Sequence, residues 1–182
     1  MTWYIDPNHS SVTFGVKHMM VATVRGSFTG LHGTVDYDPK APERMSIEAT
    51  VGAHTVNTGQ EKRDGHLRSA DFFDAQNHPE IRFKSTSVRP KGGDRFEVTG
   101  ELTIRGVTKT VTADVDVAGI GEDGKGQQRL GADATFTIDR KEFGLVWNQP
   151  VQNGVLVGDK VKLEIGVSAL DASTAKQWGL AA

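Results

Sequence analysis

The chain has 182 residues, long enough for one domain to bury a sizeable core without disulfides or a structural metal. Lysine and arginine (21) nearly balance aspartate and glutamate (23), and no basic run of the kind that neutralises phosphate backbones is present, which argues against a nucleic-acid partner. With no cysteine, thiol nucleophiles, disulfides and thiolate metal sites are excluded.

The opening residues Met1 to Asp6 show no basic stretch followed by an apolar one, and no segment approaches the ~20 apolar residues that would span a bilayer. No integral membrane segment is expected, and the chain reads as cytoplasmic; one already trimmed of a signal peptide would read the same way. Val12, Phe14 and Val16 then share one face of a first strand. The next, from about Thr23 to Tyr37, is unusually long and changes phase. Val24 and Phe28 fall on even positions but Val35 and Tyr37 on odd ones, which predicts a bulge at Gly30 to Gly33 that bends the strand around a barrel. A turn over Asp38 to Pro42 leads to Met45, Ile47, Ala49 and Val51, alternating with Ser46, Glu48 and Thr50.

The pattern breaks from about Thr58 to Phe73. Thr58-Gly59-Gln60-Glu61 matches a capping box, and polar residues surround Leu67, so one short helix is expected there. It has too few apolar residues for a core helix, which places it across an open end of the sheet with Phe72 and Phe73 as the plug. Alternation then resumes in Phe96/Val98/Leu102/Ile104, Val111/Ala113/Val115/Val117, Ala134/Phe136/Ile138 and Val161/Leu163/Ile165/Val167/Ala169. Turn residues over Pro90 to Gly93, at Gly106 and over Gly119 to Gly126 separate these runs. Residues 1–171 thus form the barrel domain and 172–182 a tail of helical propensity, where Trp178 docks on the body or on a second subunit; a homodimer is one expectation.

About eight strands and one helical interruption make an all-β antiparallel fold, which hides its dry face as a sandwich or as a closed barrel. The inward face mixes Phe14, Phe28, Phe83, Phe96 and Phe136 with Ala49, Ala113, Ala134 and Ala169. Small residues among aromatics leave room for a ligand or fill a taper; the pattern alone suits either.

Six segments, in order, are similar to members of the YceI family of polyisoprenoid-binding proteins. They are WYIDPNHSSVTFGVKH at 3–18, VRGSF at 24–28, RDGHLRSADFFD at 63–74, PEIRF at 79–83, GELTIRGVTK at 100–109 and IDRKEFG at 138–144. The resemblance implies an extended lipocalin-like barrel of eight antiparallel strands, with an interior that takes a long isoprenoid lipid or quinone and no attached catalysis. Two rival functions stand beside it: an enzyme of isoprenoid or quinone metabolism with His18 as acid or base, and a stress-related interaction module with a filled barrel.

Phe14, Val16, Phe28, Phe83, Phe136 and Phe143 are the expected cavity wall, or else plain core. His18 shares the face of Phe14 and Val16, so it either meets a ligand head group or is satisfied by a neighbour. His66 lies over the opening or on a solvated helix face. Met19 and Met20 make a pliable rim or flank a turn as core residues, and Trp147 with Asn148 offers an amphipathic pair at the other rim or a loop tucked under the indole. Arg105 and Arg140, at strand ends, are expected to pair structurally or to be exposed. The six histidines stand singly, and no nucleophile elbow, zincin motif or phosphate loop appears, so no catalytic residue, metal or cofactor is assigned.

Overall fold

The alternating runs become strands that close on themselves. A computed structural model describes residues 1–152 and 154–181. Its strands are β1 (Thr2–Ile5), β2 (Ser11–His18), β3 (Ala22–Phe28), β4 (His32–Asp36), β5 (Ser46–Gly52), β6 (Glu80–Gly92), β7 (Arg95–Ile104), β8 (Val107–Glu122), β9 (Gln128–Asp139), β10 (Pro150–Val151), β11 (Gly154–Val155) and β12 (Val157–Asp171). Helix α1 spans Glu61–Arg68 and α2 spans Ala172–Gln177.

Strands β1, β4, β5, β6, β7, β8, β9 and β12 pair antiparallel in that order, and β12 returns to β1 through Trp3 opposite Asp171 and Ile5 opposite Ala169. The first half of β12 instead pairs with β2, where Leu163 faces Phe14, and β3 lies beside β2. So β1 and β2 occupy one barrel position, β3 and β4 the next, and the whole is an eight-position closed barrel. The expected single strand from Thr23 to Tyr37 is therefore two strands, not one strand with a bulge. Gly30 (φ 74°) and Gly33 (φ 142°) take conformations that a side chain disfavours, and a side chain at Gly33 would collide with the Glu48 carbonyl, so the chain breaks there and re-enters the sheet beside β1.

The break between β1 and β2 is built around Asp6, which is fully buried. Burial pushes its carboxyl up, but Arg129 (Nη1, 2.9 Å), the Asn8 amide N–H (3.0 Å) and the His9 ring (Nδ1, 2.6 Å) outweigh that and hold it below the ordinary carboxylate value. Nearby, Trp3, Phe96, Val98, Leu130 and Leu170 are sealed from solvent, and the Trp3 indole N–H donates to the Tyr37 carbonyl (3.3 Å). Helix α2 packs on β1 and β12 at this end.

At the other end β3 and β5 diverge. The gap is filled by residues 53–79, fastened through reciprocal backbone bonds between Ser27 and Asn57 (2.8 and 2.9 Å) and from the Ala53 N–H to the Pro79 carbonyl (2.8 Å). Helix α1 and the 3-10 turn Arg140–Phe143 cover this end, with Phe72 and Phe143 buried among Leu102, Ile104, Ile138 and Leu145.

Candidate ligand-binding site

The inward positions of the barrel divide into two kinds. Trp3, Phe96 and Ala169 are closed off, whereas Phe14, Val16, Phe83, Ala134, Phe136 and Ile165 keep accessible surface although they face away from solvent. The second kind borders a hollow. Deep in the barrel a cavity of about 130 Å³ has Ile47, Ile81, Phe83, Ala134, Phe136 and Ile165 on an apolar wall. A second, of about 90 Å³, is bounded by Phe14, Phe28, Phe73, Phe143, Ile81 and Leu163; the last two belong to both walls. An outer chamber of about 350 Å³ shares Phe14, Val16, Leu67, Phe72 and Val157 with the second and opens to solvent between β2, α1 and the 145–156 loop. The three spaces lie in series, so one slender apolar molecule could thread them end to end.

Most of the predicted residues line this path. Phe14, Val16, His18, His66 and Trp147 surround the outer chamber; Phe28 and Phe143 line the middle cavity; Phe83 and Phe136 line the deep one. Trp147 stands at the same mouth as His18 and His66, not at the opposite rim, because the 145–156 loop folds back over the end of β2. Three residues lie off the path. Asn148 spends its amide on the Val157 backbone, donating from Nδ2 (2.7 Å) and accepting at Oδ1 (3.0 Å), so it pins the loop. Met19 and Met20 form the tip of the β2–β3 turn and are exposed rather than packed as core.

The mouth is organised by polar bonds that spacing does not reveal. The expected capping box is absent: Gln60 is the N-cap of α1 and makes no side-chain cap. Instead buried Asp64 reaches back, accepting from the Thr58 N–H (2.9 Å) and hydroxyl (2.5 Å), while Arg63 donates to the Thr58 hydroxyl (2.7 Å) and carbonyl (2.9 Å). These bonds hold a helix whose one aliphatic residue is Leu67. The His66 ring stands edge-on to Phe72 (5.0 Å) and Trp147 (4.7 Å), and its Nε2 bonds Asp71 (2.8 Å), so it is part of the rim rather than of a solvated face.

Across the mouth, Arg140 is buried beneath the loop. It donates to the carbonyls of Gly158 (2.8 Å), Leu145 (2.5 Å), Trp147 (2.9 Å) and Val157 (3.3 Å). Burial draws its pKa down, and Asp159 and Asp139 oppose that. This guanidinium, which sequence marked only as a strand-end arginine, fixes the position of Trp147. Sequence reasoning also missed Lys17, Lys62 and Arg63 at the mouth; among the described residues no aspartate or glutamate lines that chamber. Among the described residues, no three His, Cys, Asp or Glu side chains are placed to hold a metal, and no helix is long and apolar enough to cross a membrane.

A closed antiparallel barrel with a hollow apolar axis and a roofed mouth defines a lipocalin-like barrel. The YceI-like domain family matches residues 3–169, and the chain belongs to that family. It is 39% identical over 140 residues to a UPF0312 protein of Pectobacterium atrosepticum (77% of this chain, 72% of that one) and 38% identical over the same length to protein YceI of Escherichia coli O157:H7 (77% and 73%). Among solved structures it is similar to Burkholderia cenocepacia BcnA, with a TM-score of 0.80, 27% identity, and 91% of this chain and 99% of that one covered. A polyisoprenoid binding domain from Saccharophagus degradans shares the fold at a TM-score of 0.70 and 13% identity, over 92% of this chain and 97% of that one.

Proposed function

We propose that this protein is a non-catalytic carrier that holds one long isoprenoid-type lipid, a polyprenyl chain or isoprenoid quinone, along the barrel axis. The observation that carries this reading is the string of inward-facing aromatic and aliphatic residues that remain accessible to two apolar cavities and the chamber at the mouth, in series. Each methylene removed from water contributes about 0.8 kcal/mol, so ten give about 8 kcal/mol before the losses on association. Micromolar affinity then needs no charged anchor. Phe14, Phe72, Ile81 and Leu163 belong to the walls of adjoining spaces, and a tail threading past would need these side chains to change rotamer.

The same physics predicts loose selection of chain length, since one methylene is worth only about 1–3 kcal/mol in an apolar pocket. The head group would be read at the mouth by His18, His66 and Trp147. A structural neighbour being a polyisoprenoid binding domain supports the reading. Native mass spectrometry of the purified protein, with solvent extraction and lipid analysis, tests it. One polyprenyl lipid per barrel, co-purified or taken up from added polyprenol, is the expected result; a protein that is repeatedly empty and binds no long isoprenoid would overturn the proposal.

A further inference from the structure

The large apolar side chains left in solvent are not scattered. Eight are exposed among the described residues, and five of them, Met19, Met20, Val21, Val146 and Val155, stand at the mouth end. The β2–β3 turn carries three in succession, at 44%, 54% and 79% exposure, and Val146 beside Trp147 reaches 60%. The turn is fastened at its base: the Met19 N–H donates to the Leu156 carbonyl (2.8 Å) and the Val21 N–H to the His18 carbonyl (3.2 Å).

Met19 and Met20 both adopt left-handed backbone conformations, with φ of 52° and 60°. Glycine, asparagine or aspartate takes such a turn with less strain, and solvates it better. Two methionines and a valine there accept backbone strain and exposure together, with no burial inside the protein in return. Strain of this kind, held by the surrounding structure, points to use rather than to packing.

Charge follows the same axis. The segments that build the mouth end, residues 15–26, 53–82, 104–109 and 137–162, carry twelve Lys and Arg against eight Asp and Glu; the rest of the chain carries nine against fifteen. One end is therefore net +4 and the remainder net −6. Among the described residues Lys17 and Lys62 line the mouth without an ion-pair partner, and Arg25 on the neighbouring strand makes no ion pair within 4 Å, with Glu164 near enough to feel its charge. An apolar tip flanked by lysine and arginine is the composition that seats a surface in the headgroup layer of an anionic bilayer.

We infer that the mouth end docks on an anionic lipid bilayer, with Met19, Met20 and Val21 as the foot that enters the interface and Lys17, Arg25 and Lys62 against the headgroups. Docking in this orientation aims the barrel mouth at the membrane, so a lipid tail passes between bilayer and cavity without crossing bulk water. That last step rests on the carrier reading; the docking itself does not.

Flotation of the full chain with vesicles tests the inference. The wild type is expected to float with an equal mixture of phosphatidylcholine and phosphatidylglycerol, much less with phosphatidylcholine alone, and to release as salt shortens the screening length from about 10 Å towards 3 Å. Met20→Asp with Val21→Asp should weaken flotation by about tenfold or more, since carboxylates resist entry into the interface. Aspartate tolerates the left-handed turn, so the variant should fold. Trp178→Ala, at the opposite end, should float like the wild type. A soluble short prenol binding equally to wild type and double variant separates loss of docking from loss of the cavity. A wild type that does not float, or a double variant that floats equally, overturns the proposal. So does a sedimenting dimer that the double variant splits, because a second copy would then be what covers the foot.

Discussion

The His66 imidazole stands edge-on to the Trp147 indole, 4.7 Å between ring centres, and both rings contact Phe72. Two segments far apart in the chain, the one carrying His66 and Phe72 and the one carrying Trp147, thus meet as one aromatic roof over the mouth. Edge-to-face pairs contribute roughly 0.5–1.5 kcal/mol beyond the area they bury. Trp147→Ala should therefore leave the fold intact and open the mouth. Release of a preloaded polyprenol into excess unlabelled lipid is expected to quicken by about tenfold, the factor that ~1.4 kcal/mol gives. An unchanged release rate would show that the aromatic roof does not gate the cavity.

Arg140 makes a second, purely structural prediction. Replacing it by methionine keeps the stem but leaves the Leu145, Trp147 and Gly158 carbonyls without their arginine donor, while the Val157 carbonyl keeps the Asn148 amide. A cost of about 3 kcal/mol in urea unfolding is expected, from the desolvated carbonyls left unpaired. Lysine should recover little of it, because an ammonium cannot reach four divergent acceptors as the planar fork does.

The third concerns pH. The Asp171 carboxylate caps α2, accepting from the side chains and N–H groups of Ser173 and Thr174, and these bonds lower its pKa to about 2, against some opposition from desolvation. A depressed carboxylate contributes stability above its unfolded pKa and loses it as pH falls through the folded one. The cap should hold above about pH 4 and be lost between there and pH 2. The site is largely solvated, so the effect should be local fraying rather than global unfolding. Acrylamide should quench Trp178 more readily as the pH falls through this window, and Asp171→Asn should flatten the dependence.

Much of the barrel was legible because alternation is a direct consequence of one wet and one dry face. The inward residues of β7, β8, β9 and β12 are those the period of two marks. The phase change between Phe28 and Val35 was visible too, but its cause was not: a bulge and a strand break leave the same mark on the sequence. The aromatic wall was legible by face, whereas its division into sealed core and cavity lining was not, since Phe96 and Phe136 obey the same pattern and differ only in what stands opposite. The roof was the least legible part. Asn148 and Arg140 hold backbone carbonyls and amides whose positions depend on how the 145–156 loop returns to β12, and no local spacing encodes that return. Thr58 had the signature of a cap and became instead the anchor of Asp64 and Arg63.

On the proposed function, a lipid tail occupies the barrel axis down to the deep cavity. Ala134 lies on the wall of that cavity, and Ala134→Trp fills it from within. This variant should melt near the wild-type temperature and still bind short prenols in the outer and middle chambers, yet lose a long polyprenol by about a hundredfold, the factor that roughly 2.7 kcal/mol of lost tail burial gives. A folded variant that binds the long polyprenol as tightly as the wild type would contradict it, because the tail would then lie outside the barrel.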